Sequence, residues 1–147
     1  TEDEVIDYIE KCRKEFTSLP PEEVAFPRTV SNVEKWKSPS DMYQKGCPIH
    51  VRGAILYNHY THKNKLEHKY SAIQNGEKIK FCYLKTPNWM HENVISFIQD
   101  FPKELDLDKY VDYDLQFNKA FLEPIKVILD CIGWETERKN TLESFFS

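Results

Sequence analysis

Residues 47–60 read CPIHVRGAILYNHY, and this stretch decides what the fold is expected to contain. From Val51 to Tyr57 every residue except Arg52 is apolar or glycine. A helix that is apolar around its whole circumference is buried, and proline is favoured in the first turn of a helix. The stretch therefore predicts a buried helix of about three turns, with Pro48 near its start.

The residues that follow this helix contain signals for a small antiparallel sheet. The segment 71–84 reads SAIQNGEKIKFCYL, with Asn75-Gly76 between two candidate strands. Asn-Gly between apolar runs is a strong hairpin signal, so 71–74 and 77–84 are predicted to pair. VISFI at 94–98 is predicted to supply a third strand.

The N-terminal segment has the pattern of an amphipathic helix. Thr1 and Glu4 have the spacing of a capping box, and the proline pair at 20–21 should end the helix. Its apolar stripe consists of Val5, Ile9, Cys12 and Phe16. From the proline pair to Pro48 the chain is predicted to be irregular, apart from one helical turn within 31–36.

A second, longer helix is predicted over residues 108–133, with Gly133 just past its end. Pro124 lies inside this segment and should kink the helix, because it leaves the carbonyl of Ala120 without a donor. The predicted stripe contains Val111, Leu115, Leu122, Ile125, Leu129 and Ile132. The fold class is therefore α+β, with N-terminal and long C-terminal helices around a small antiparallel sheet.

Composition is that of one globular domain rather than a disordered or membrane-spanning chain. Of 147 residues, 40% are hydrophobic and 14% aromatic, enough for a packed core, and no apolar run approaches the roughly 18 residues needed to span a bilayer. No signal peptide is recognised, and a chain beginning at Thr1 is expected to be a fragment or a trimmed product. The four cysteines contain no CxxC pair, which is typical of reduced thiols in a cytosolic protein.

Charge is distributed unevenly along the chain. The net charge is −4, yet residues 28–85 carry 11 lysines and arginines against 4 acidic residues. The flanking segments 1–27 and 86–147 are both acidic. Such asymmetry indicates one basic surface on an acidic body, the alternative being a lysine-rich loop region without function.

Two patterns have the residue types of a metal site, and neither fits its chemistry. Cys47-x-x-His50 and His59-x-x-His62 could supply the four ligands of zinc, but His50 and His62 are about 18 Å apart along a helix. Tyr-x-Asp-x-Asp at 110–114 resembles a polymerase carboxylate motif, but it opens a predicted helix, where acids are favourable anyway. With no nucleophile elbow or phosphate loop, no catalytic or metal-binding residue is assigned.

The central segment Cys47-Pro-Ile-His-Val-Arg-Gly-Ala-Ile-Leu-Tyr57 resembles a Cys-Pro-aromatic-His-Ile-Arg-Gly segment with a following Tyr. That segment occurs in the thumb domain of replicative family B DNA polymerases of T-even-type phages, and several other segments resemble this domain in the same order. The others are Lys14-Glu-Phe16, Ser31 to Trp36, Asp112 to Pro124, Ile128-Leu129 and the C-terminal peptide KNTLESFF at 139–146. The resemblance covers nearly the whole chain.

This resemblance implies a domain that holds the backbone of primer–template duplex DNA. Phosphate contacts give sequence-independent, salt-sensitive affinity, in agreement with the basic centre of the chain. The residues that the resemblance places against DNA are Lys35, Trp36, Arg52 and Lys119, with Lys45 added by proximity.

The chain departs from the family pattern at two positions close to these residues. Gly46 stands where relatives have a lysine, and Glu123 replaces a lysine expected to face phosphate, which puts DNA contact by that turn of the last helix in doubt. For Arg52 an equally good alternative is a structural arginine that pairs with an acidic group.

The C-terminal peptide ends in two adjacent phenylalanines. Leu142, Phe145 and Phe146 could fold back onto the protein's own core or could form one face of a docking helix. The resemblance favours docking on the sliding clamp. The domains are then 1–134, the thumb, and 135–147, the clamp-binding tail.

The resemblance also defines what the chain lacks. It has no palm, fingers or exonuclease motifs, so it alone holds no cofactor, and Mg²⁺ is expected in the missing palm domain. Its expected partners are the duplex, the clamp and the remainder of the polymerase, in the cytoplasm (the host's, if the chain is phage-encoded), with no membrane involved. The chain is either a polymerase fragment or the product of a split gene. The alternatives are a stand-alone DNA-binding accessory protein with a clamp tail and, more distantly, a zinc-dependent enzyme.

Overall fold

A buried helix lies against a three-stranded antiparallel sheet in the computed structural model, which describes residues 1–138. The helix is α5 (Ile49–Lys63), and the strands are β1 (Phe26–Thr29), β2 (Lys78–Tyr83) and β3 (Val94–Phe97), in the order β1-β2-β3. Together with the short elements between them they form one compact unit, residues 20–112. The α+β class, the buried helix and the third strand are confirmed.

Helix α5 approaches strand β3 closely because it carries glycine at the contact. A Cβ on Gly53 would lie 2.4 Å from Ser96 Oγ and 2.9 Å from the Ser96 backbone nitrogen. Ser96 is fully buried, and its hydroxyl donates to the His50 carbonyl at 2.8 Å. Only glycine leaves room for the sheet at this position of the helix.

The predicted hairpin over 71–84 is wrong in its pairing, although its turn is present. Residues 71–74 form no strand, and β2 pairs instead with β1 and β3. Gly76 has φ +87°, and its N–H donates to the Val30 carbonyl at 2.7 Å. The Asn75 side chain accepts from the Val33 N–H at 2.8 Å. The turn therefore fastens the end of β1 rather than joining two consecutive strands.

Strand β1 lies in a segment that was predicted to be irregular. Pro27 suggested a break, but within residues 1–138 β1 is an edge strand that pairs with β2 alone. Proline is tolerated on an edge, because an N–H that faces outward is not needed by the sheet. Long-range pairing, which local sequence does not encode, decides this strand.

Short helical elements complete the unit of residues 20–112. The predicted turn within 31–36 is confirmed as α3 (Val33–Trp36). The others are α2 (Pro21–Val24), α4 (Pro39–Met42) and the 3₁₀ turns Lys103–Leu105 and Asp108–Tyr110.

The second compact unit contains both terminal helical segments, residues 1–19 and the described part of 113–147. Helix α1 (Glu2–Thr17) begins with both halves of the predicted capping box, formed by Thr1 and Glu4. The core of this unit consists of Ile9, Phe117, Leu122 and Leu129, with Val5, Cys12, Phe16, Phe121, Ile125 and Trp134 packed against it. The predicted stripe of α1 is therefore confirmed as the face that packs against this core, and Ile6, which the prediction omitted, is also buried.

The C-terminal helix begins later than predicted. It consists of α6 (Tyr113–Phe117), a π-helical turn (Asn118–Leu122) and α7 (Glu123–Cys131). Residues 108–112 are excluded because Val111 forms a β-bridge with Leu84. The predicted stripe therefore loses Val111, which belongs to the unit of the sheet, and Ile132, which is 57% exposed.

Pro124 and Gly133 shape this helix. Proline cannot donate a hydrogen bond to the carbonyl four residues earlier. In the π-helical turn directly before Pro124 the hydrogen bonds reach back five residues instead of four, so that the Glu123 N–H donates to the Asn118 carbonyl. Gly133 has φ +75°, its N–H donates to Asp130 and the Trp134 N–H donates to Leu129. These two bonds form a Schellman motif, which confirms Gly133 as the end signal.

Among residues 1–138 no helix combines the length and the apolar character needed to cross a bilayer.

Candidate nucleic-acid interface

Lys35 and Trp36 lie together on the short helix α3. The Lys35 Nζ stands 4.7 Å from the centre of the Trp36 ring, a distance at which the cation and the aromatic face attract each other. Lys35 is exposed and Trp36 is half-buried. No carboxylate of the described residues lies within ion-pair distance of Lys35, so its charge is available to an outside anion.

The loop that carries Lys45 passes next to Trp36. A Cβ on Gly46, where φ is +104°, would lie 3.9 Å from the Trp36 ring. Lys45 itself is exposed, and the described residues offer it no acidic partner. The structure therefore brings Lys35, Trp36 and the loop of Lys45 into one region, which sequence spacing alone did not require.

Arg52 is held by the protein's own acceptors. Its Nη2 donates to Asn93 Oδ1 at 2.6 Å, and its Nε stands 3.9 Å from Glu92 Oε2. The side chain of Arg52 is only 21% exposed and that of Glu92 only 10%. These contacts are those expected of an arginine that pairs with an acidic group of its own protein, and contact of Arg52 with DNA stays a prediction.

Glu92, the partner of Arg52, is buried and also pairs with Tyr43, which is 55% exposed. The Tyr43 hydroxyl donates to Glu92 Oε1, and this hydrogen bond, with burial and the negative charge of Glu92, raises the pKa of Tyr43 to about 12. The Arg52 Nε is buried without a hydrogen-bond partner in the described part of the chain. Sequence reasoning missed Glu92, because it lies far along the chain from Arg52 and no motif marks it.

Lys119 belongs to the unit of the terminal helices. It is exposed on the π-helical turn Asn118–Leu122, and Glu123, the residue that departs from the family pattern, is exposed next to that turn. Contact of Lys119 with DNA stays a prediction, and it concerns the unit of the terminal helices rather than the unit of the sheet.

Leu142, Phe145 and Phe146, the predicted clamp-binding residues, lie outside the described residues. The last described residues are anchored on helix α1: the Glu135 N–H donates to Glu2 Oε1 at 3.0 Å, and Arg138 pairs with Asp7 at 2.6 Å. The chain therefore leaves the described region beside the start of α1.

A basic segment at the end of α5 was not singled out from sequence. His62, Lys63, Lys65 and His68 line a shallow depression there, with Glu67 pairing to His62 at 3.0 Å. Cations at a helix C-terminus are stabilising by themselves. The concentration of lysines and histidines in HKNKLEHK at 62–69 could have indicated this basic segment from the sequence.

The metal-type patterns do not assemble in the structure. Across residues 1–138 no group of three or more histidine, cysteine, aspartate or glutamate side chains is arranged to hold a metal ion. The His50 Nε2 lies 3.1 Å from the Thr29 carbonyl, and His62 pairs with Glu67.

Comparison with known proteins relates the chain to DNA polymerases. No family model matches it. It is 24% identical over 149 residues to a protein described as DNA-directed DNA polymerase, from Enterobacteria phage T4. The alignment covers 99% of this chain and 16% of the phage protein, so the chain spans about a sixth of the length of the relative that it matches. The similarity is weak but extends over nearly all of this chain, and it supports a DNA polymerase-related chain.

Proposed function

We propose that the chain is the C-terminal thumb portion of a family B DNA polymerase. In this role it grips the backbone of primer–template duplex DNA and tethers the polymerase to a sliding clamp during replication. The observation that carries the proposal is the similarity to the T4 polymerase along 99% of the chain. The chain covers 16% of that polymerase, and the activity of a whole polymerase requires the remaining parts.

The charge arrangement supports a backbone grip. Lys35 and Lys45 are exposed and have no acidic partner in the described region; Lys35 lies against Trp36, and Gly46, the neighbour of Lys45, lies beside the same ring. A cation that is not already neutralised releases counterions when it meets a phosphate, and each such contact adds about 0.9 to the slope of log affinity against log salt. A polymerase that slides along its template needs this kind of sequence-independent contact.

The grip is tested with the 147-residue chain and fluorescein-labelled blunt duplexes of two unrelated sequences. Anisotropy titrations between 50 and 200 mM salt should give similar affinities for both sequences, with a steep salt dependence. Lys35→Ala should lower the salt slope by about one unit. The matched control is Lys11→Ala, which removes an exposed lysine from α1 and should leave the slope unchanged. Binding that is independent of salt, or strongly selective for one sequence, would contradict the proposal.

Catalysis is expected only in the presence of the missing parts. The purified chain with Mg²⁺, nucleotides and primer–template should not extend the primer, because no catalytic carboxylate set was found in its sequence. Addition of a polypeptide with palm, fingers and exonuclease domains should restore processive extension. Extension by the chain alone would refute the assignment, and a failure to complement would favour the stand-alone accessory protein.

Clamp docking is proposed for Leu142, Phe145 and Phe146. Burial of one large apolar side chain contributes roughly 1.5–3 kcal/mol, so Phe145→Ala/Phe146→Ala should weaken clamp binding by orders of magnitude. The same double variant should melt at nearly the wild-type temperature. Calorimetric titration with the cognate clamp and thermal melting measure the two effects separately. A large loss of melting temperature with intact clamp affinity would place both rings in the protein's own core.

A further inference from the structure

Two adjoining cavities run along one side of helix α5, within the unit of residues 20–112. The first has a volume of about 470 Å³, and its apolar floor consists of Met42, Ile55, Leu56 and Met90. The second has a volume of about 360 Å³. Lys37, Ile55 and His59 line both cavities, so the two form one groove with a basic boundary between its halves.

The first cavity has the chemistry of a site for a flat aromatic group. Met42 and Met90 are the two methionines of the chain, and both line it. Thioethers adapt to irregular shapes and make favourable contacts with aromatic rings. Tyr43 and Tyr60 supply aromatic walls, and its volume lies in the range of pockets that hold small ligands.

The same cavity offers a buried hydrogen-bond acceptor. Glu92 lines it and is 9% exposed. Its Oε1 accepts from Tyr43, whereas the cation nearest to its Oε2 is the Arg52 Nε at 3.9 Å. A carboxylate has about four lone-pair sites, so Glu92 retains capacity for an N–H donor. An aromatic occupant with such a donor matches the cavity better than a hydrocarbon.

The boundary between the cavities suits an anion. Lys37 stands there with His59, and its acidic neighbour is Glu34 at 3.9 Å. Both side chains of that pair are largely exposed, at 69% and 76%, and exposed pairs of this kind hold a lysine only weakly. Lys37 can therefore exchange Glu34 for a phosphate.

We propose that the groove binds two successive unpaired nucleotides of single-stranded DNA. One base enters the methionine-lined cavity and donates an N–H to Glu92, the next base occupies the second cavity, and the linking phosphate lies at Lys37 and His59. Stacking on aromatic side chains beside a cationic track is the general mode of single-strand binding. Paired bases are excluded, because their faces are covered within the duplex. The inference rests on the proposed function in taking DNA as the partner. Its site adjoins the proposed duplex grip, because Lys37 directly follows Lys35 and Trp36, but the groove side chains are a different set.

The test uses the full chain labelled with [methyl-¹³C]methionine, which gives one NMR signal for each of the two methionines. Titration with the hexanucleotide dT6 should shift the signals of Met42 and Met90, whereas a blunt duplex should not. Lys37→Ala should weaken dT6 binding by at least about threefold at low salt, since it removes one phosphate contact. The matched control, Lys78→Ala, removes an exposed lysine that lines neither cavity and should leave dT6 binding unchanged.

Four results would overturn the inference. They are an absence of dT6 binding, dT6 binding that leaves both methionine signals unmoved, equal effects of Lys37→Ala and Lys78→Ala, and binding of thymidine monophosphate as tight as that of dT6. The last would indicate a site for a free nucleotide. Salt-dependent duplex binding without dT6 binding would refute the groove alone, whereas dT6 binding without duplex binding would refute the proposed grip alone.

Discussion

Gly53→Ala tests the contact on which the sheet unit is built. The added Cβ would meet Ser96 Oγ at 2.4 Å, the Ser96 backbone nitrogen at 2.9 Å and the Ile95 carbonyl carbon at 3.2 Å. The hydroxyl is fixed by its bond to the His50 carbonyl. The backbone of Ser96 is fixed by pairing with Phe81 on β2. Helix α5 and strand β3 must therefore move apart.

The size of the effect follows from two opposing terms. Overpacking of a core costs about 1–3 kcal/mol, and contacts below 3.0 Å with backbone place this site at the upper end. Alanine is better than glycine in a helix interior by about 1 kcal/mol. The overpacking cost is larger, and the net loss of unfolding free energy is roughly 2 kcal/mol. For a chain of this size that corresponds to a melting temperature lower by roughly 4–8 °C.

Urea and thermal unfolding, followed by circular dichroism, measure this loss. The control is a double-mutant cycle with Ser96→Ala, which removes the closest clashing atom. Gly53→Ala should cost less in the Ser96→Ala background than in the wild type, although the clash with the backbone nitrogen remains. A Gly53→Ala variant as stable as the wild type, or more stable, would refute the close approach of α5 and β3.

Three further predictions concern the pH dependence of stability, the reactivity of the thiols and the turn at Asn75. Burial lowers the pKa of His50, so that as the pH falls the unfolded chain takes up a proton at this histidine before the folded protein does. The free energy of unfolding should therefore fall as the pH drops below about 6.5. Unfolding at a series of pH values should show a smaller fall in His50→Gln, whereas the control variant His68→Gln, at an exposed site, should behave as the wild type. Burial raises the pKa of Cys82 to about 12, so its thiol should resist alkylation in the folded protein. Mass spectrometry after alkylation should find the exposed Cys131 modified in the native protein and Cys82 modified only after unfolding. Rapid labelling of Cys82 in the native protein would contradict this. Asn75→Ala should lower the unfolding free energy by about 1 kcal/mol, since it removes the acceptor of the Val33 N–H, and an unchanged urea midpoint would show that the bond contributes nothing.

Signals confined to neighbouring residues predicted the long helices, although not the short helices α2 and α4 or the start of the C-terminal helix. The capping box at Thr1 and Glu4 and the Schellman motif at Gly133 use hydrogen bonds within one or two turns. The apolar circumference of 51–57 likewise predicts burial wherever the helix is placed. The sequence by itself therefore determined the α+β class, the buried central helix, the start of α1 and the end of α7.

Only the tertiary structure decided how distant segments meet. The partner of β2 was mistaken, because the choice between residues 71–74 and β1 depends on pairing across about fifty residues of chain, for which sequence carries no local signal. Val111 leaves the predicted helix because a bridge to Leu84 is available. Arg52 finds Asn93 at a separation of 41 residues. The groove beside α5 combines side chains from three separate segments, and long-range contacts of this kind exist only after the chain has folded.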